Sequence, residues 1–450
     1  MTTHPLVIVG AGPIGLAAAA HAQSRGLPTV VLEAGDTAGA AVRQWGHVRL
    51  FSAWGELVDP VAATLLAGRG WTAPAPSSYP TGEDWARDYL VPLADALAAT
   101  AEVEVRFGHR VTAVTRQGRD RMVDAGRAES PFELRVASSS GTERLLASAV
   151  VDASGTWGGP SPLGADGLPA YGEAEHADQI TYGIPDFTAP ETAARFGGRH
   201  VAVAGTGASA QNVLVGLTQL AAQVPGTRVS WLVRRGETAD AFGGGDNDQL
   251  EARGALGKAA QAAVSAGPVT PVTRFRTAEV TDDPARPGAL RVVAVDGAVV
   301  SGVDEVVVVT GFRPDLSWLS EVRLDLDPVL SAPTQLAPLI DPNVHSCGTV
   351  YPHGAAELAQ PEPGLYLAGM KSYGRAPSFL ALTGFEQTRS IVAALAGDHE
   401  AAARVELTLP ETGVCGGSGQ FDGDPAEADA GGGCCAPAPD LLTIGARQDA

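Results

Sequence analysis

The stretch Leu6-Val-Ile-Val-Gly10-Ala-Gly-Pro-Ile-Gly15-Leu-Ala-Ala-Ala-Ala20 decides how the chain begins to fold. Residues 6–9 form a short apolar run of the kind found in strands buried on both faces. Glycines follow at 10, 12 and 15, and the alanine-rich run over 16–24 reads as a helix. A second strand over 28–32 ends on Glu33, closing a β-α-β unit of about 30 residues. Each part has a physical reason. Gly10 permits a tight turn, Gly12 lets the backbone approach a pyrophosphate, and Gly15 lets helix and strand pack closely. The helix N-terminus offers free N–H donors and the positive end of a dipole. Glu33 can accept both hydroxyl hydrogens of an adenosine ribose, which suits FAD and NAD equally.

The pattern restarts in the middle of the chain. Residues 200–204 read as a strand, Gly205-Thr-Gly207-Ala-Ser209-Ala210 as a second glycine turn, and 211–223 as a helix. The next strand, over 229–233, ends in Arg234-Arg235 where the first unit has its glutamate. A carboxylate there would repel a 2′-phosphate, whereas guanidiniums grip one. The second turn therefore favours NADPH, and two such turns on one chain imply hydride passing from a nicotinamide to a resident flavin. Around these units, residues 40–100 carry aromatics and prolines, with a helix near 82–99. Strands at 103–106, 111–115, 132–137 and 144–148 read as a meander with a polar loop over 119–130. A buried strand at 149–153 closes on Ser154-Gly155. An apolar strand over 303–310 leads into Gly311-Phe-Arg-Pro314, and a last strand at 364–369 precedes a helix over 379–395.

Composition sets the outer limits. The chain has 450 residues, enough for two domains, and 45% of them are apolar. Acids outnumber bases 51 to 31, a formal charge of −20, and such a surface would repel a nucleic-acid backbone. No apolar stretch approaches the roughly 20 residues of a membrane helix. A strand starting by Leu6 leaves no room for a signal peptide, and four cysteines do not make a secreted disulfide framework, so the expected location is cytoplasmic.

Residues 7–33, 150–155, 201–235, 306–314 and 364–398 resemble the five landmarks of the two-dinucleotide-binding flavoprotein superfamily, which holds thioredoxin reductases and flavin-containing monooxygenases. The resemblance covers residues 5–400. It implies an α/β fold of two Rossmann-like, three-layer ββα nucleotide-binding domains. The FAD domain would be discontinuous, over 1–165 and 334–400, with an NADPH domain inserted at 166–333. It also implies that Gly10, Gly12, Pro13, Gly15, Glu33, Trp45, Val111, Gly155, Gly369 and Met370 lie against FAD. Gly205, Gly207, Ser209, Ala210, Arg234 and Arg235 would lie against NADPH.

Within that group the residues favour a monooxygenase. Residues 1–346 contain no cysteine, which excludes a dithiol relay beside the flavin. Ala170-Tyr-Gly172-Glu-Ala-Glu-His176 keeps the glycine and histidine spacing of a stretch shared by flavin-containing monooxygenases, although Ala170 and Ile180 replace its aromatics. Gly369-Met370 stands where reductases of the superfamily usually carry Gly-Asp. Residues 43–80, with Trp45, Arg49, Trp54, Trp71 and Tyr79, look like the region over the flavin, where aromatics either exclude water or simply pack. The resemblance implies that NADPH reduces FAD, that O2 forms a C4a-hydroperoxide, and that a small nucleophilic substrate takes one oxygen. The cofactor carries that chemistry, so no protein residue is assigned as catalytic. The alternatives are a reductase serving a metalloid, thiol or protein acceptor, and a flavin-bound redox sensor. A homodimer is compatible with either enzyme.

From residue 401 onward the composition turns to Gly, Ala and Asp, too poor in apolar residues to form a core, and a flexible tail is expected. It carries Cys434-Cys435, which resembles the paired C-terminal cysteines of mercuric reductases. A coil from Ala401 to Cys434 spans on the order of 30 Å. With Cys347, these thiols suit a soft metalloid, and the layout resembles flavoproteins of arsenic-resistance clusters. A redox-inert tail is the plainer reading. His345, Cys347 and His353 have a spacing unlike common zinc sites, and no metal site is assigned.

Overall fold

The central strands are buried along their whole length, as parallel strands covered on both faces must be. A computed structural model describes residues 4–245, 248, 250–343, 353–377 and 379–407. In chain order they give β1 (Leu6–Val9), β2 (Thr29–Leu32), β3 (Val103–Arg106), β4 (Arg110–Arg116), β5 (Phe132–Ser138), β6 (Gly141–Ala147) and β7 (Ala149–Asp152). There follow β8 (Ile180–Tyr182), β9 (His200–Ala204), β10 (Arg228–Leu232), β11 (Val269–Val272), β12 (Thr277–Asp282), β13 (Leu290–Ala294), β14 (Val299–Val303), β15 (Glu305–Val308) and β16 (Leu365–Leu367). Two sheets of five parallel strands result, ordered β16-β7-β1-β2-β3 and β11-β10-β9-β15-β8. Two antiparallel sheets of three, β4-β5-β6 and β12-β13-β14, accompany them.

The central strands show why each unit has three layers. In β1, Leu6 and Ile8 pack with the helices, whereas Val7 and Val9 pack with Phe132, Leu134 and Val136 of β5. In β9, Val201 and Val203 face Val213, Leu214 and Leu217 of the helix Ala208–Gln223. Ala202 and Ala204 face Val280, Leu290 and Val292 of the second antiparallel sheet. Side chains alternate across a strand, so one apolar run serves two interfaces. The helix Pro13–Ser24 is lined with buried alanines, and Gly384 of the helix Ala381–Leu395 comes so close that an added Cβ would lie 2.3 Å from Ile14. The chain thus returns to its first sheet after building the second.

Several expectations shift. The apolar run 303–310 is two strands, broken at Asp304. The buried Asp304 carboxylate accepts from the backbone of His200 (2.8 Å) and from Arg286 (2.7 Å), work a mid-strand residue in an apolar layer could not do. The helix expected over 82–99 contains a π-turn, Ala86–Leu90, ahead of Pro92. Pro92 has no N–H to give the carbonyl four residues back, and that carbonyl, of Asp88, accepts the Trp71 indole instead (2.8 Å). Residues 251–265 form a helix and 277–303 the second antiparallel sheet, both without an expectation from sequence.

Candidate functional site

At the first glycine turn the three glycines are demanded by different things. Gly10 has φ +103°, and a side chain there would meet the Ala153 carbonyl at 2.8 Å. At Gly15 a Cβ would fall 1.9 Å from the Gly10 carbonyl oxygen. Gly12 is extended (φ −81°, ψ −176°), and nothing lies within 4 Å of where its Cβ would be. The protein's own packing therefore explains Gly10 and Gly15 but not Gly12, which borders open space at a helix N-terminus. A helix N-terminus, whose first N–H groups lack intrahelical partners, is a place that can hold a phosphate group. Pro13 holds the first helical turn.

Glu33 is half-buried at the end of β2. Its two oxygens accept from the backbone N–H groups of Ala11 and Gly35, each at 2.7 Å. Each oxygen keeps a second lone pair, so ribose hydroxyls can still be received. The His109 N–H donates to the Glu33 carbonyl (2.8 Å), which draws the start of β4 beside this end. The Val111 side chain, however, belongs to the core beneath, so only its backbone is available to a ligand.

The C-terminal ends of β1, β7 and β16 lie side by side, and the crossovers from β1 diverge there, as at a ligand-binding switch point. Gly155 (φ +69°) borders open space. Gly369 (φ +71°) abuts Ile14, its N–H held by the buried Gln387 side chain at 2.8 Å, and Met370 follows half-buried. The same Gln387 amide donates to Ser372 (2.9 Å) and to a ring nitrogen of buried His353 (2.8 Å). Beneath this edge lies an ion pair that the motifs did not reveal. Lys371 Nζ sits 2.7 Å from Asp152, both almost without solvent exposure, and 3.0 Å from Ser154 Oγ, which donates to Asp152 at 2.6 Å. Asp152 and Lys371 are too far apart in the chain for any spacing rule to join them.

The expected aromatic wall is largely core. Trp54 is buried, Trp71 is tied to Asp88, and Trp45 packs its ring on Gly82. Trp157, outside that stretch, is half-buried. Its indole donates to Gln44 (2.7 Å) and stacks at 4.9 Å on Phe312, bridging the two units.

The second turn copies the first. Gly205 (φ +130°) would place a Cβ 2.3 Å from the Val309 carbonyl, and the buried Ala210 fills the third position. Gly207 repeats Gly12 with φ −83° and ψ −175°, again open to space, and Ser209 lies in the first helical turn beside it. Arg234 is exposed, 3.4 Å from the Ala165 carbonyl, and Arg235 is half-buried. Both make further contacts.

The stretch 170–176 is a docking turn. At Gly172 (φ +77°) a Cβ would lie 2.0 Å from the Val280 carbonyl. Buried Glu173, which the sequence reading passed over, accepts from the backbone of Leu163 (2.9 Å) and Ala170 (2.6 Å) and from the Tyr182 hydroxyl. Burial, then the bond to Glu173, raises the Tyr182 phenol above its ordinary pKa. His176 is half-buried in the same turn. Cys347, Cys434 and Cys435 lie outside the described residues, as does His345.

The family described as pyridine nucleotide-disulphide oxidoreductase matches residues 7–346. Indole-3-pyruvate monooxygenase YUCCA1 of Oryza sativa subsp. japonica is 39% identical over 108 residues, which are 23% of this chain and 23% of that protein. Among solved structures, bacillithiol disulfide reductase Bdr (YpdA) from Bacillus cereus aligns at TM-score 0.64 and 20% identity, covering 88% of this chain and 99% of its own. A flavin-containing monooxygenase from Stenotrophomonas maltophilia aligns at TM-score 0.53 and 22% identity, covering 88% and 99%. These two likenesses establish the fold.

Proposed function

The chain belongs to the pyridine nucleotide-disulphide oxidoreductase family and is an FAD- and NAD(P)H-dependent oxidoreductase, and from that premise we propose that it oxygenates a small nucleophilic substrate with O2 and NADPH. The observation that carries the reading is that residues 1–346 hold no cysteine, so neither glycine turn has a dithiol in its own unit. FAD would occupy the unit of 1–165 and 334–400, NADPH that of 166–333. When bound, the flavin would supply the two-electron redox chemistry.

The chain's own residues bind and orient. The open edge at Gly12 receives the flavin's pyrophosphate, and Glu33 its ribose. Gly207 and the Arg234-Arg235 pair hold the phosphates of NADPH. Lys371 and Asp152 fix the sheet edge beneath, and the Trp157 ring, tied to Gln44 and packed on Phe312, sets one unit against the other.

A second reading has its own observation. Arg389 donates to the carbonyls of Ala401 (2.7 Å) and Arg404, and Ser390 Oγ links Ala402 O (2.7 Å) to Ala355 N (2.9 Å). Residue 402 therefore lies beside residue 355; Cys347 precedes the latter in sequence, and Cys434 and Cys435 follow the former. That supports delivery of electrons to a thiol or metalloid acceptor.

Turnover under 18O2 with thioethers and amines separates the two. The oxygenase reading expects one labelled oxygen in product per NADPH. NADPH oxidation without label, together with anaerobic acceptor reduction that the Cys434→Ser/Cys435→Ser variant loses, would overturn it in favour of the reductase.

A further inference from the structure

We propose that Arg274 is a third guanidinium for the 2′-phosphate of NADPH, acting with Arg234 and Arg235 to set the choice of nucleotide; this rests on NADPH occupying the second turn. Parallel register aligns Ala204, Leu232 and Val272, the last residues of β9, β10 and β11. Beyond that line lie, in order across the sheet, the Gly205 turn, the arginine pair and Arg274. They share the C-terminal edge where open α/β sheets bind ligands.

Three features hold Arg274 in place. Its N–H donates to the Arg235 carbonyl (2.8 Å), and the next N–H, of Phe275, donates to the Val233 carbonyl (3.0 Å). Phe275 is buried in the core and anchors the segment. The Arg274 guanidinium then lies over Gly236, with Nε 3.2 Å from where that residue's Cβ would stand. Any side chain at 236 would crowd it. The residue that directly follows the arginine pair thus leaves room for a third arginine from another strand.

Arg274 is also one of two non-glycine residues with positive φ among those described, at +57°. L side chains seldom adopt this conformation, and such residues cluster where a ligand is held. The side chain is exposed and makes no described ion pair or hydrogen bond. In a chain of net charge −20, with acids to spare, an arginine held without a carboxylate partner beside two others is placed for an anion from outside. Planar guanidiniums receive phosphate oxygens bidentately.

The test uses the flavin-loaded full chain, with adenosine 2′,5′-bisphosphate and AMP as calorimetric probes. Arg274→Gly and Arg274→Asn both accept positive φ, so the backbone is kept while the charge goes. A lost charge-assisted bond predicts 2′,5′-bisphosphate binding weakened about ten- to hundredfold, with AMP binding unchanged. If Arg234→Ala weakens the bisphosphate while both Arg274 variants bind it as wild type does, Arg274 has no such role although the NADPH reading stands. Equal loss of both probes in the Arg274 variants would assign a structural role and overturn the inference. If wild type itself binds the two probes alike, the reading beneath the inference fails.

Discussion

Single atoms decide the glycine turns. Gly15 has no room for a methyl group, since a Cβ 1.9 Å from a backbone oxygen forces helix and strand apart. Gly15→Ala should cost about 1–3 kcal/mol or more of stability. Gly12→Ala meets nothing and has an ordinary φ, so thermal unfolding of the flavin-free protein should be unchanged or slightly later. Its flavin affinity should fall about tenfold, near 1.4 kcal/mol, read by fluorescence titration. Loss of stability in Gly12→Ala with flavin binding intact would reverse these roles. The glycines and Glu33 are legible in sequence because each answers a local requirement of backbone conformation or approach. Lys371 and Arg274 are not, because their partners arrive from segments distant in the chain and no spacing records them.

Between elements, one buried carboxylate joins β4 to the approach of β16. Glu362 accepts from Arg116 (3.0 Å), Arg127 (2.7 Å) and the Arg323 backbone (3.1 Å) with almost no solvent exposure. Burial works to raise this carboxyl, but the Arg127 and Arg116 guanidiniums outweigh it and hold the group below the usual carboxylate range. A lowered folded pKa means stability that is present above the unfolded value of about 4.3 and lost as pH falls through the folded one. Glu362→Gln leaves two buried guanidiniums underpaired and should cost about 3–5 kcal/mol at neutral pH. In urea melts, the gap between wild type and variant should narrow as pH drops below 4; a constant gap would contradict it. Sequence patterning located β1, β3 and β9 to the residue but put β3 in the meander, whereas it pairs parallel with β2, since the pattern of a short strand does not say which sheet it joins. It started the strand of 303–310 two residues before β15 because Asp304, one polar residue in an apolar run, breaks the strand only through partners in other elements.

At the scale of the molecule, the chain builds one three-layer unit, repeats the plan, and returns a strand to the first sheet. The repetition was legible because both turns obey the same backbone rule, visible in the near-identical angles of Gly12 and Gly207. That both chain ends form one domain was implied only by the family resemblance, and the pairing of β16 with β7 was not read at all, since residues so distant carry no local signal. The difference between the turns is chemical: a carboxylate tips one and arginines tip the other. An acid-tipped turn holding flavin and an arginine-tipped turn holding its hydride donor is the central claim, and anaerobic reduction of the bound chromophore tests it most directly. Purified protein should be yellow, and one equivalent of NADPH should bleach it, with an efficiency at least about tenfold above that of NADH, the preference expected from one charge-assisted contact. A colourless protein that takes up no flavin, or a flavin reduced equally well by NADH, would contradict it.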